Sequence, residues 1–234
     1  EVDGEIDNTD SDKSKSDRLM ARAYKNSKEI TIKYTNVFED FNKVVDSFSP
    51  DLLALSTTED MFHLGLNLIK YLKGKRPLTI AGGVFPTFAP RLVMNYEAVD
   101  MLCVGEGENA IVDLAERISR GEDYSDVTNL WVRKKNGTIK KNPITRPVDI
   151  DKLPATTDIG MFGEKRFYRP MGGKIRRLLP VETHRGCPYT CSFCNSPSQN
   201  RLYSGNGNFF RKKSMKLIRE EIENHIKMWK VEYI

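Results

Sequence analysis

The sequence predicts an α/β protein built on a doubly wound parallel sheet, and the alternation of strand and helix patterns is the observation that supports this class. Between residues 29 and 125, short apolar runs alternate with amphipathic helical segments of about 10 to 15 residues, as in βαβ units. The length of 234 residues allows one or two domains. No run of about 18 apolar residues occurs, so the sequence predicts no membrane-spanning helix.

The region 29–125 holds the predicted sheet and its helices. Ile30, Ile32 and Tyr34 alternate as in a half-buried strand, and the helix that follows stops at Ser49-Pro50. The apolar run 51–56 predicts a strand buried on both faces of the sheet. The later elements are a helix at 61–73, a strand at 77–83, a helical turn near 90–95, a strand at 99–105 and a helix at 107–120.

The rest of the chain divides into a hairpin with a linker and a second α/β region. Residues 126–176 contain Asn136-Gly137, a favoured two-residue hairpin turn, followed by frequent proline and glycine. The region 177–234 opens with a predicted strand at 177–185. It continues with an amphipathic helix at about 213–229 and ends at 231–234, where a further strand begins.

The polar N-terminus and the number of cysteines indicate in which compartment the protein is expected. Residues 1–28 are poor in aromatic residues and predict a tail. They show neither an apolar stretch nor a basic leader, and no initiator methionine, so we expect no signal peptide and a chain that begins within a longer protein. Four cysteines are too few for a disulfide scaffold. We therefore expect a cytoplasmic protein with reduced thiols.

Three of the cysteines form the motif Cys187-Pro-Tyr-Thr-Cys191-Ser-Phe-Cys194, directly after a predicted strand. Three thiolates on one short loop can surround one side of a compact metal centre, and thiolates are the preferred ligands of iron–sulfur clusters. Structural zinc is the alternative, because His184 would complete a Cys3His site. The fourth cysteine, Cys103, lies in an apolar strand and predicts a buried structural thiol.

Ligands of doubly wound sheets bind at the carboxyl ends of the strands, and three such ends carry candidate residues. Glycines let the backbone approach a bulky ligand, and hydroxyls can hydrogen-bond its polar groups. The same glycines suit tight turns, and the acids suit the first turn of a helix, so both interpretations stay open. The candidates are Ser56-Thr57-Thr58, Gly82-Gly83 and Gly105-Glu106-Gly107-Glu108.

Two histidines and the charge distribution offer weaker signals. His63, at a helix start, predicts a partly buried or capping residue, and His225, on a charged helix, predicts a solvent-facing one. The chain carries a net charge of +5, and the excess of Lys and Arg is confined to residues 164–234. Together with the zinc alternative, this basic region leaves open a zinc-stabilised nucleic-acid-binding module.

The segment ETHRGCPYTCSFCNSP at 182–197 closely resembles the cluster-binding segment of radical S-adenosylmethionine (SAM) enzymes. The run from Ser56 through 80–90 and 99–108 resembles the N-terminal domain of the cobalamin-binding branch of that superfamily. The resemblance implies a Rossmann-like domain of the cobalamin-binding type, followed by the start of a radical SAM partial (β/α) barrel. The chain is then expected to be a fragment with one nearly complete domain and the opening of another.

The resemblance also implies cofactors and a reaction. Cys187, Cys191 and Cys194 would bind a 4Fe-4S cluster that in turn binds SAM, with Phe193 packed near the adenine. Reductive cleavage of SAM would give methionine and a 5'-deoxyadenosyl radical, which abstracts hydrogen from a small-molecule substrate. An electron donor such as flavodoxin or ferredoxin is implied, and nucleic acid is not an expected partner.

Cobalamin is the third implied cofactor, with methyl transfer to carbon or a rearrangement as the reaction. Ser56, Thr58, Gly82 and Gly83 match the family positions that line the slot for its nucleotide tail, and Glu106 is a further candidate. The DxHxxG segment, whose histidine binds the cobalt, is not in this sequence. The domain therefore either binds cobalamin without a protein histidine or has lost binding.

Overall fold

The computed structural model describes residues 34–155, 159–171 and 174–234, and these fall into two compact units. The sheet unit contains residues 36–148 and 186–210, and the helix–hairpin unit contains residues 149–185 and 211–234. The predicted tail at 1–28 and the strand predicted through Ile30 and Ile32 lie outside the described residues. Within these three ranges, no helix has both the length and the apolar character needed to cross a membrane.

A five-stranded sheet forms the centre of the sheet unit. Its first three strands are parallel and the last two are antiparallel additions, with spatial order equal to chain order. Ser56 lies opposite Gly82 in the register, so the carboxyl ends of the first two strands meet. The strands are β1 (Leu52–Ser56), β2 (Leu78–Gly82), β3 (Met101–Cys103), β4 (Leu130–Arg133) and β5 (Ile139–Lys141).

Helices cover both faces of this sheet, which confirms the doubly wound prediction. Side chains alternate along a strand, so Leu102 packs into the hydrophobic cluster on one face while Met101 packs into the cluster on the other. The first cluster includes Phe62, and the second includes Leu114. The helices are α1 (Val37–Phe48), α2 (Glu59–Lys70), α3 (Val84–Phe88), α4 (Pro90–Val93), α5 (Glu108–Arg120) and, after the cysteine motif, α6 (Ser196–Leu202).

The ends of α1 follow from local chemistry. Asn36 caps its start, because the side-chain oxygen accepts hydrogen bonds from the backbone N–H groups of Phe38 and Glu39 at 3.0 and 3.3 Å. Ser49 ends it in a left-handed conformation with φ 49°, directly before Pro50. The predicted stop at Ser49-Pro50 is confirmed.

The expectation that β1 is buried on both faces is wrong. Ala54 and Ser56 are exposed, and Leu53 and Leu55 are half-buried. The reason is the place of β1 in the sheet: among the described residues it pairs with β2 alone and therefore forms an edge. The predicted hairpin is confirmed, since β4 and β5 pair around a turn in which Gly137 has φ 82°.

The helix–hairpin unit contains two short antiparallel pairs and one long helix. The strand predicted over 177–185 does not form as one element, because Pro180 has no N–H to donate to a sheet partner. Instead, Leu178 makes an isolated parallel bridge to Tyr233, and the prediction that a further strand begins in 231–234 stays a prediction. The elements are β6 (Tyr168–Met171), β7 (Lys174–Arg177), β8 (His184–Arg185), β9 (Arg211–Lys212) and α7 (Met215–Trp229).

A buried polar cluster lies on α7 and corrects a second prediction. Lys213 Nζ is 2.8 Å from both carboxylate oxygens of Glu221, and both side chains are buried. His225, one turn after Glu221, is only 3% exposed, so the prediction that it faces solvent is wrong. Residues four apart share a helix face, and the pairing of Glu221 with Lys213 makes this face an inner one. Burial lowers the pKa of His225.

Candidate functional site

A cleft of about 370 Å³ opens at the carboxyl ends of the parallel strands of the sheet unit. This is the edge at which doubly wound sheets bind ligands. Of the candidate residues at the three strand ends, Ser56, Gly82, Gly83 and the whole run Gly105-Glu106-Gly107-Glu108 line the cleft. The sheet therefore gathers, from three separate strand ends, side chains and glycines that lie far apart in the sequence.

Gly82 and Gly83 are adjacent in the cleft, but the fold requires glycine at only one of these two positions. Gly83 has φ 97°, and a Cβ on it would lie 2.8 Å from the carbonyl oxygen of Thr57, so the turn itself requires glycine. Gly82 lies in β2, and a Cβ on it would meet no atom within 4 Å. The fold therefore explains Gly83 and leaves Gly82 unexplained, with open space where a side chain would stand.

Thr87 joins two walls of the cleft, and the sequence interpretation missed it. Its Oγ1 donates a hydrogen bond to the Gly83 carbonyl at 2.8 Å and accepts one from the Gly105 N–H at 3.0 Å. The side chain is buried in α3. A threonine on the helix that follows a Gly-Gly turn was the available signal, since its hydroxyl can satisfy backbone groups that the turn leaves open.

The Gly105-Glu106 wall is held by three parts of the sheet unit. The Glu106 N–H donates to the Tyr203 hydroxyl at 2.7 Å, and the Glu106 carbonyl accepts from Asn129 Nδ2 at 2.8 Å. The Glu106 carboxylate accepts from the Val148 N–H at 2.7 Å. The sequence analysis explains the acids of this run by their place in the first turn of a helix. In the structure Glu106 has a different role, because its side chain fixes this wall to the segment that follows β5.

Thr58 and Ser56 differ in their relation to the cleft. Ser56 is exposed at the end of β1, with Oγ 3.4 Å from the position that a Cβ on Gly83 would take. Thr58 points elsewhere: its hydroxyl donates to the Asp60 carboxylate at the start of α2, a hydrogen bond that lowers the pKa of Asp60. Thr57, between them, is the buried hydroxyl residue of this strand end.

Cys103 lines the floor of the cleft and is a buried free thiol, as the sequence predicts. Burial, and to a lesser extent the charge of Glu108, raises its pKa to about 12. The group is therefore a neutral thiol at physiological pH and acts as a small apolar side chain.

The cysteine motif forms a solvent-facing loop before α6. Cys187 is half-buried, and Cys191 and Cys194 are exposed free thiols. The Cys194 N–H donates to the Cys191 carbonyl at 3.2 Å, which turns the chain between the last two cysteines. The Ser196 N–H donates to Cys194 Sγ at 3.4 Å and lowers the pKa of this thiol.

The chemistry of this donor set suits an iron–sulfur cluster, because three free thiols lie on one short loop and a backbone N–H stabilises one thiolate. Phe193 is 92% exposed beside them. In the part of the chain that the structure describes, no three or more His, Cys, Asp or Glu side chains meet in a geometry that would hold a metal ion. This statement covers the zinc arrangement with His184 as well as the three cysteines.

The remaining histidines take no part in the cleft. His63 is exposed on α2 and contacts the edge of the Tyr96 ring, with ring centroids 5.9 Å apart. His184 is exposed on β8, with Nδ1 3.1 Å from the Thr183 hydroxyl oxygen.

Comparisons with a family model and with curated proteins give a consistent result. The family model of the B12-binding domain matches residues 18–115. A protein of Pyrococcus horikoshii named uncharacterized methyltransferase PH0819 is 28% identical over 168 residues, which are 69% of this chain and 35% of that protein. The cobalamin-dependent radical SAM methyltransferase TokK of Streptomyces tokunonensis is 34% identical over 151 residues, 62% of this chain and 22% of TokK.

Solved structures show the same fold. The cobalamin-dependent radical SAM enzyme OxsB with aqua-cobalamin bound matches with a TM-score of 0.60 and 20% identity, over 83% of this chain and 26% of OxsB. The methyltransferase TsrM of Kitasatospora setae with cobalamin and a 4Fe-4S cluster bound matches with a TM-score of 0.58 and 17% identity, over 81% of this chain and 39% of TsrM. The chain spans about a third or less of the curated relatives named above.

Proposed function

We propose that this chain is the cofactor-binding part of a cobalamin-dependent radical SAM enzyme, because the family model of the B12-binding domain matches residues 18–115 and a cobalamin-dependent radical SAM methyltransferase is among its relatives. The reaction class is methylation of an unactivated carbon, or a rearrangement, on a small-molecule substrate. The observation that carries the proposal is the cleft at the strand ends, in which Gly82 leaves space that the fold does not need.

The cleft suits the nucleotide tail of cobalamin. A bulky, flat ligand needs a wall without side chains, and Gly82 provides such a wall beside the exposed hydroxyl of Ser56. Polar groups of the ligand can then bond that hydroxyl. Opposite, the Gly105-Glu106 wall is rigid, because hydrogen bonds from Thr87 and Tyr203 fix its backbone. In the proposal, Ser56, Gly82 and Glu106 bind the cofactor and Thr58 does not.

The cysteine loop would hold the second cofactor. Cys187, Cys191 and Cys194 would supply thiolates to a 4Fe-4S cluster, and Phe193 would pack near the adenine of the SAM that the cluster binds. A reduced cluster held there would supply the electron for cleavage of SAM, and methylcobalamin would supply the methyl group. We also propose that a dedicated electron donor, such as flavodoxin or ferredoxin, reduces the cluster. The proposed setting of the protein is cytoplasmic.

The cobalamin part is tested by enlarging Gly82 in two steps, to Ala and to Val. A Cβ at this position meets no protein atom, and Val is compatible with a strand, so both variants should fold with unchanged thermal stability. Hydroxocobalamin affinity, measured by equilibrium dialysis, should fall in the order Gly82, Ala, Val, by tenfold or more for Val. Ala115→Val, which adds methyl groups on the exposed face of α5, is the matched control.

Two outcomes would contradict this part of the proposal. The first is a wild-type chain that does not retain hydroxocobalamin in dialysis. The second is a Gly82→Val variant that binds it as tightly as the Ala115→Val control does.

The cluster part is tested by anaerobic reconstitution of the wild-type chain and of Cys191→Ala. The wild-type chain should bind iron and acid-labile sulfide in equal amounts and turn brown, and the variant should lose this colour while its sheet unit stays folded. One tightly bound zinc ion with no sulfide would contradict the proposal and favour the zinc-stabilised module.

A further inference from the structure

Residues 186–209 form the segment that carries the three cysteines, and its first and last residues are in contact with each other. Gly186, just before the motif, has φ 86°, and a Cβ on it would lie 2.3 Å from the carbonyl oxygen of Phe209, so the two ends of the segment touch backbone to backbone. At the end of α6, Tyr203 is 2% exposed and its ring stacks on Phe209, with centroids 5.9 Å apart and an interplanar angle of 15°. The buried ring of Tyr203 is therefore the anchor of the segment that carries the exposed cysteine loop.

This anchor also contacts the wall of the cleft. The Tyr203 hydroxyl accepts the Glu106 N–H at 2.7 Å. Gly105 has φ 83°, and a Cβ there would lie 2.3 Å from the same hydroxyl oxygen. Any side chain at Gly105 would therefore displace the tyrosine. The close fit shows that the cleft wall and the cysteine-bearing segment are built against each other.

Hydrogen bonds connect the Gly105-Glu106 wall to the Gly82-Gly83 pair on the opposite side of the cleft. The Gly105 N–H donates to Thr87 Oγ1, and Thr87 Oγ1 donates to the Gly83 carbonyl. Three hydrogen bonds thus connect the glycine turn, the Gly105-Glu106 wall and Tyr203 in sequence. All of these residues lie in the sheet unit.

We infer that Tyr203 is a positioning residue that couples occupancy of the cleft to occupancy of the cysteine loop, so that cobalamin and the cluster bind cooperatively. The inference rests on the proposed function. A ligand in the cleft orders the Gly105-Glu106 wall, and a cluster on the loop orders the segment that ends at Tyr203. Because both share the hydroxyl contact, whichever cofactor binds first lowers the conformational entropy that the second must remove.

The experiment measures the affinity of the chain for hydroxocobalamin by equilibrium dialysis, with and without a reconstituted cluster. Coupling between sites is commonly about 5- to 150-fold in affinity, and a value at the lower end is expected for one shared contact. In Tyr203→Phe the ring still stacks on Phe209 but the hydroxyl is absent, so the ratio of the two affinities should fall to about one while both cofactors still bind. Tyr34→Phe, which removes the hydroxyl of an exposed tyrosine outside both the cleft and the cysteine motif, is the matched control.

A second readout needs no cofactor. Hydrogen exchange of the Glu106 amide should be faster in Tyr203→Phe than in the wild-type chain, because its acceptor is lost. A wild-type affinity ratio of one, or an unchanged ratio in Tyr203→Phe, would overturn the inference while leaving the proposed function intact. A wild-type chain that binds neither cofactor would overturn both.

Discussion

The hydroxyl of Thr87 is the most direct test of how the cleft is held. Thr87→Val replaces the hydroxyl with a methyl group of similar size, so packing in α3 is kept while two hydrogen bonds are lost. The Gly83 carbonyl retains a second donor, because the Thr87 N–H also bonds it at 3.2 Å. The Gly105 N–H loses the acceptor that it has at 3.0 Å. The loss therefore falls mainly on one backbone donor.

An unsatisfied donor away from water costs about 1 to 3 kcal/mol. The free energy of unfolding of the cofactor-free chain should therefore fall by this amount in Thr87→Val, as measured by urea denaturation followed by circular dichroism. Thr87→Ser keeps the hydroxyl and should lose clearly less. Hydroxocobalamin affinity should weaken in Thr87→Val as well, by about tenfold for each 1.4 kcal/mol by which the wall is loosened.

The reasoning would be refuted by a Thr87→Val variant that unfolds at the wild-type urea concentration, or by a Thr87→Ser variant that is the less stable of the two. Either result would show that the methyl group of Thr87, rather than its hydroxyl, is what the cleft requires.

Three further predictions concern the fold. Asp100→Asn should lower the free energy of unfolding by about 1.5 to 3 kcal/mol in urea denaturation, because the carboxylate accepts two hydrogen bonds from Arg76. Gly83→Ala should lower the thermal midpoint, with a strain of about 1 to 3 kcal/mol from its positive φ and its contact with Thr57. The pKa of His225 is lowered on folding, so stability should fall as pH drops below about 6.5, and His225→Gln should flatten this pH dependence.

Elements with strong local signals could be predicted from the sequence. The end of α1 at Ser49-Pro50, the turn at Gly137 and the parallel order of β1 to β3 each follow from residues close in the chain. The candidate site was predictable to the same extent: strand ends marked by Ser56, Gly82 and Glu106 were expected to meet, and they line one cleft.

Predictions that depended on distant partners were the ones that failed. His225 lies on a helix whose charged pattern predicts solvent exposure, yet Glu221 on the same face is paired with Lys213, which no local pattern reveals. The strand predicted over 177–185 is interrupted at Pro180, which has no N–H to donate, and Leu178 instead forms a bridge to the distant Tyr233.

The sequence by itself determined the kind of fold, the positions of the strand ends and the spacing of Cys187, Cys191 and Cys194, because periodicity and motif spacing are properties of neighbouring residues. Only the tertiary structure decided which glycine the turn needs and which one leaves open space, that Thr87 joins two walls of the cleft, and that Tyr203 contacts Glu106 from 97 residues away. Hydrogen bonds and steric fit depend on positions in space, and those positions are set only when the sheet brings separate segments together.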